Sequence, residues 1–81
     1  MKDNIKIDAT LDCFGLICPV PVYLTAKKIK EIKIGQVLEI IANDEEALQD
    51  IPAYCRESGQ KFLKFKEEEG QFKFYIEKVK D

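Results

Sequence analysis

Three thiols, at Cys13, Cys18 and Cys55, and the absence of any histidine set the chemistry open to this 81-residue chain. Without histidine there is no Cys–His nucleophile pair, no Ser–His–Asp triad and none of the commonest metal ligand. Three thiols alone make a poor zinc site, because structural zinc takes four ligands. No metal and no cofactor are therefore expected. What remains is a thiol that acts as its own nucleophile, and the run Cys18-Pro19-Val20-Pro21 shows where. Proline is favoured at the first helical position, which puts Cys18 at the N-cap and Pro19 just inside the helix. Pro21 still falls in the first turn, where a missing N–H costs little. The positive end of a helix and its free amides stabilise a thiolate, the reactive form of cysteine. Gly15 lets the preceding loop turn without Cβ strain and leaves room for a partner's backbone. Burial as a small hydrophobe is the common fate of a free cysteine. Two prolines at a helix start favour the reactive reading for Cys18.

The elements that must position this thiol follow from the hydrophobic periodicity. Ile5, Ile7, Ala9 and Leu11 alternate with polar residues, as in a half-buried strand. Asp12 to Ile17 form a loop. A helix is predicted from Pro19 to Lys33, with Val22, Thr25, Ala26, Ile29 and Ile32 as its buried stripe. Lys27, Lys28, Lys30 and Lys33 crowd its second half, which suits the helix dipole, and Gly35 marks the exit. Val37 to Ala42 read as a second strand, interior because its apolar run is nearly continuous. Asn43 or Asp44 is the expected cap of a second helix, whose stripe is Ala47, Leu48, Ile51, Tyr54 and Cys55. Pro52 interrupts that stripe and predicts a kink or restart. Ser58-Gly59 ends the helix. Lys61–Lys66 and Gln71–Val79 then form a hairpin around Glu67-Glu68-Glu69-Gly70.

In the last strand Phe72, Phe74 and Ile76 share one face, while Lys73, Tyr75 and Glu77 share the other. A sheet with one polar face needs cover on one side only. The expected fold is a two-layer α/β (α+β) sandwich, β-α-β-α-β-β, with a mixed four-stranded sheet and both helices on one face. Residues 1–81 make a single domain of modest stability. The net charge of −2 gives no general attraction to nucleic acid or to an anionic membrane. No apolar run approaches the roughly 20 residues of a membrane span, and Met1 to Asn4 lead into no signal-like stretch. The chain is expected in the cytoplasm, where free thiols stay reduced.

The segment Asp12-Cys13-Phe14-Gly15-Leu16-Ile17-Cys18-Pro19-Val20-Pro21 resembles the signature of the TusA/SirA/YedF family of small sulfur carriers. The resemblance continues through Gly35-Gln36, the Asp50-Ile51-Pro52-Ala53-Tyr54-Cys55 segment, Gly59 and the closing hairpin. It implies the same two-layer sandwich. It also implies that Cys18 is the catalytic, sulfur-accepting residue, carried as a persulfide and supported by Pro19, Pro21, Gly15 and Asp12. The implied donor is a cysteine desulfurase or a rhodanese-type protein. The implied destination is a downstream acceptor protein in tRNA thiolation, sulfur oxidation, molybdenum-cofactor or selenium pathways. Such a chain is a sulfurtransferase acting as a persulfide carrier. Two positions depart from the family pattern: Ile17 stands where many members carry Arg, and Gln60 where many carry His.

Cys13 has two readings. It is either a resolving cysteine that forms a disulfide with Cys18, or a small residue packed under the loop, and packing is the commoner outcome. Cys55, on the apolar stripe of the second helix, reads as core. Asp12 reads as a turn residue that bonds its own backbone. Two further functions compete with the carrier: a thiol–disulfide switch built on Cys13 and Cys18, and a non-enzymatic module that regulates a partner.

Overall fold

The computed structural model describes residues 6–17 and 19–80. Strand β1 (Ala9–Cys13) leads to helix α1 (Val20–Glu31) and strand β2 (Val37–Ala42). Helix α2 (Ala47–Ser58) and the hairpin β3 (Lys61–Glu68) and β4 (Gln71–Glu77) complete the chain. The sheet runs β1-β2-β4-β3. The β1–β2 pair is parallel, and the other two pairs are antiparallel. The expected element order, mixed sheet and interior β2 are all present.

The core lies between the sheet and the two helices. Across the central pair, Leu38 faces Ile76, Ile40 faces Phe74 and Ala42 faces Phe72. All six are buried, together with Cys13 on β1, Ile29 on α1, and Ala47, Ile51 and Cys55 on α2. Period-2 alternation in the strands and 3.6-residue spacing in the helices thus converge on one apolar layer. The opposite face is not purely polar. Tyr75 was expected there with Lys73 and Glu77, yet it is buried. Its hydroxyl donates to Glu39 Oε2 at 2.8 Å, and Thr10 Oγ1 donates to Glu39 Oε1 at 3.2 Å. Since Thr10, Glu39 and Tyr75 are register partners, they form a hydrogen-bonded row across β1, β2 and β4.

Several boundaries differ from expectation for local reasons. Ile5, the expected start of β1, lies outside the described residues, and the ladder begins at Ala9. Just before it, Asp8 grips the start of β2 twice. Its N–H donates to Val37 O at 2.9 Å, and its Oδ2 accepts from Val37 N at 2.8 Å. Helix α1 ends at Glu31 rather than Lys33, because Ile32 turns extended. The Lys78 ammonium donates to Ile32 O at 2.8 Å, satisfying a carbonyl at the helix terminus.

Helix α2 runs unbroken through Pro52, where a kink or restart was expected. Pro52 is the sixth residue of the helix, so it forgoes the bond that an amide there would make to Leu48 O, and the helix continues through that loss. The hairpin is tighter than expected. Its strands reach Glu68 and Gln71, and Glu69-Gly70 make a two-residue turn with φ of 49° and 82°. Positive φ at both positions matches the twist of the flanking strands. β4 ends at Glu77 instead of Val79. The buried Gln60 holds the residues beyond it, its Nε2 donating to Lys80 O at 2.9 Å and its Oε1 accepting from Val79 N at 2.9 Å.

Candidate functional site at the start of helix α1

The loop from β1 to α1 is fixed by hydrogen bonds before it reaches Cys18. Asp12 Oδ1 accepts the Phe14 N–H at 3.0 Å, the turn role read from its sequence. Leu16 N–H donates to Cys13 O at 3.1 Å, closing a four-residue turn. Gly15 is third in that turn with φ of +86°, a left-handed value that favours glycine. A Cβ added there would meet nothing within 4 Å, so glycine serves the backbone angle and not a steric need. The Gly15 N–H donates to Asn43 Oδ1 at 2.7 Å. Asn43 was expected to cap α2; its side chain ties the loop to the end of β2 instead. The residue before α2 is Glu46, which makes no side-chain cap bond.

Past the turn, Val20 N–H donates to Ile17 O at 3.0 Å and Tyr23 N–H to Pro19 O at 3.0 Å. Cys18 lies outside the described residues; the first of these bonds joins Ile17, just before it in the chain, to Val20, two residues after it. The helix begins one residue later than expected. Pro19 is the N-cap, with φ −95° and ψ 13°, and Pro21 is the second helical residue. A ψ near 13° is outside the helical range, which is why the cap shifts from Cys18 to Pro19. Pro21 is fully buried, and its carbonyl accepts from Thr25 Oγ1 at 2.7 Å. The first turn is therefore anchored to the core at Pro21 and Thr25.

This arrangement changes the electrostatic argument for an anion at the helix start. Pro19 and Pro21 have no N–H, and that of Val20 is taken by Ile17 O. Of the first three helical residues, Val20 and Pro21 thus offer no amide for other use, which leaves at most that of Val22. The helix-end field, more than a cluster of amide donors, is what this start offers a thiolate. Several described residues close to it in sequence are large, apolar and exposed. Ile17 is 71% exposed and Tyr23 66% exposed, and Phe14 and Val20 are exposed beside them. Exposed apolar side chains of this size are what a contact surface is made from.

The other two thiols sit differently. Cys13 is fully buried in the core cluster. Burial, and then the Asp12 carboxylate, push its thiol above the ordinary 9.0. Cys55, on the core stripe of α2, is pushed up to about 11 by burial. Among the described residues, no group of three or more His, Cys, Asp or Glu gathers to hold a metal ion. None of the described helices is long and apolar enough to cross a membrane.

Sequence reasoning missed two features of this region. Asn43 is 28 residues from Gly15, and no local pattern signals that contact. The second is a groove of about 310 Å³ between the start of α1 and α2, lined by Pro19, Val22, Asp50, Ala53, Tyr54 and Glu57. Its α2 wall repeats at positions 50, 53, 54 and 57, a helical stripe beside the one read as core.

Comparison with known proteins bears on this site. Residues 9–78 match the family model described as Sulfurtransferase TusA. The chain is 42% identical over 81 residues to a protein of Pseudomonas entomophila named Sulfur carrier protein TusA, covering all of both chains. It is 37% identical over 79 residues to the protein of that name from Pseudomonas syringae, covering 98% of this chain and 94% of the relative. A crystal structure of a SirA-like protein from Desulfitobacterium hafniense superposes with a TM-score of 0.79 at 22% identity. That superposition covers 89% of this chain and 99% of the other, and shows the same fold. With the family model spanning most of the chain and relatives aligned end to end, this protein belongs to the TusA family.

Proposed function

We propose that this chain is a sulfur carrier that holds sulfane sulfur as a persulfide on Cys18. The observation that carries the reading is the anchored turn at the start of α1. There the Ile17–Val20 bond spans the Cys18 position in the chain, and Phe14, Ile17, Val20 and Tyr23, close to it in sequence, are exposed. The names of the full-length relatives support the same role.

In the proposed reaction the Cys18 thiolate attacks the terminal sulfur of a donor protein's persulfide. A bond forms between Cys18 Sγ and that sulfur, the donor's S–S bond breaks, and the donor leaves as a thiolate. Delivery repeats the step in reverse sense. An acceptor thiolate attacks the outer sulfur and Cys18 leaves with the electron pair, so no external oxidant or reductant is consumed. The donor is a cysteine desulfurase or a rhodanese-type protein. The acceptor is a protein of tRNA thiolation or of another sulfur or selenium pathway, in the cytoplasm. Asp12 and Gly15 shape the loop; Pro19 and Pro21 stiffen the helix start. The net charge of −2 suits protein partners better than direct nucleic-acid binding. Cys13 is buried and its thiol raised, which makes it a poor attacking group and weighs against a Cys13–Cys18 redox switch.

The test is intact mass spectrometry after incubation with a cysteine desulfurase and L-cysteine. The wild type should gain the mass of one sulfur atom and lose it to dithiothreitol. A Cys18→Ser variant that gains the same mass, or a wild type that gains none, overturns the proposal.

A further inference from the structure

The groove beside Pro19 differs from the rest of the cleft between the helices. Its floor is apolar, made by Pro19 and Val22 from α1 and by Ala53 and Tyr54 from α2. Its charged groups are both carboxylates, Asp50 and Glu57, two helical turns apart on α2. Among the described residues neither carboxylate has a side-chain hydrogen bond or an ion pair. Further along the same cleft the charge reverses. Lys30 and Lys78 line a separate cavity of about 260 Å³ with Ala26, Ile29, Ser58 and Gln60, and Tyr54 belongs to both. The end of the cleft at Pro19 is thus its acidic end.

We propose that this groove receives a long basic side chain from the protein that exchanges sulfur with Cys18. The inference rests on the sulfur-carrier reading, and it names the chemistry by which the partner is recognised. A long basic side chain buries its methylene stem on apolar surface while its charged head stays near water and carboxylate. Pro19, Val22, Ala53 and Tyr54 supply that surface, and Asp50 and Glu57 supply charge at two places along it. Because Pro19 is bonded to Cys18, a partner engaging the thiol presents its neighbouring residues to the groove. Ile17, exposed just before the thiol in the chain, carries no cation to repel the basic group.

The experiment uses short cysteine peptides activated as mixed disulfides with 5-thio-2-nitrobenzoate, and follows release of the coloured thiolate. Cys18 attacks the peptide sulfur, forms a new disulfide with the peptide and expels thionitrobenzoate. Three peptides carry Arg, Gly or Glu next to the cysteine, and Cys18→Ser gives the background rate. At low salt the wild type should react about five-fold faster with the Arg peptide than with the Glu peptide, the upper end for one exposed ion pair. The preference should shrink at high salt. In Asp50→Asn/Glu57→Gln it should fall to near unity while the Gly peptide reacts as before. In Glu67→Gln/Glu77→Gln, with the same change of net charge outside the groove, it should persist. The proposal is overturned if the wild type shows no preference, or if the preference survives in Asp50→Asn/Glu57→Gln. Sulfur loading by the desulfurase is scored separately. An arginine preference without loading removes the carrier reading and leaves the groove. Loading without the preference removes the groove and leaves the carrier.

Discussion

Asn43→Ala isolates the contribution of the loop anchor. In the wild type, Asn43 Oδ1 accepts the Gly15 N–H at 2.7 Å, a bond that ties the loop before Cys18 to the end of β2. A net hydrogen bond is worth about 0.5–1.5 kcal/mol. Both residues are exposed, so water can replace the lost acceptor, and the cost should lie near the lower end of that range. For a chain of this size, about 0.5–1 kcal/mol corresponds to a fall in Tm of roughly 3–6 °C. The local effect should exceed the global one. Amide hydrogen exchange at Gly15 should speed up markedly, while exchange of the β2 and β4 amides should change only with global stability. Sulfur loading of Cys18 by a protein donor should slow several-fold, because the loop no longer presents one geometry. Asn43→Asp keeps an acceptor oxygen at the same place and should restore both loop protection and loading. Equal Gly15 exchange in Asn43→Ala and wild type would refute the anchor. So would an Asn43→Asp variant as impaired as Asn43→Ala.

Four further outcomes follow from the same geometry. Gly15→Ala should lower stability by about 1–2 kcal/mol in urea melts, from backbone strain alone, because its Cβ meets no atom within 4 Å; Gly15→Asn should cost less, since Asn tolerates the left-handed region. Phe74→Ala, at a fully buried position on the central strand pair, should cost about 3–5 kcal/mol, a large share of the stability of so small a domain, measured by the same melts. The pH dependence follows from the buried thiols: Cys55 is pushed up from 9.0 to about 11, so between those values the unfolded chain releases a proton that the folded chain keeps. Stability should therefore hold below about pH 9 and fall as pH rises through that window, by up to about 1.4 kcal/mol per pH unit, and Cys55→Ala should flatten the decline. Cys13→Ala should lose stability through a small cavity yet still load sulfur on Cys18, whereas a resolving role for Cys13 requires that loading or discharge change.

The periodicities made most of the fold legible. Phe72, Phe74 and Ile76 alternate cleanly, and Leu38, Ile40 and Ala42 lie in a short apolar run, so the central layer could be assigned without knowing its partners. The misreadings arose where a side chain does work that only tertiary structure defines. Asn43 has the type and position of a helix cap, yet its oxygen is engaged by Gly15 across 28 residues of sequence. Pro52 reads as a helix breaker, but α2 continues through it at the loss of one backbone bond. Tyr75 follows the polar face by alternation and is buried because Glu39 offers it a hydrogen bond. At the candidate site, Asp12 behaves as its residue type predicts, and the prolines mark the helix start to within one residue. The groove was illegible, because Asp50 and Glu57 acquire a common wall with Pro19 and Val22 only when α1 and α2 pack.

The central claim is that one thiol of three carries the sulfur. Its most direct test loads the wild-type protein with radiolabelled sulfane sulfur from a desulfurase, blocks the thiols, and locates the label by fragment-ion mass spectrometry. The account predicts all of it on Cys18, in a form that an added acceptor thiol removes. Label on the buried Cys13 or Cys55, or an equal share among the three, would contradict it.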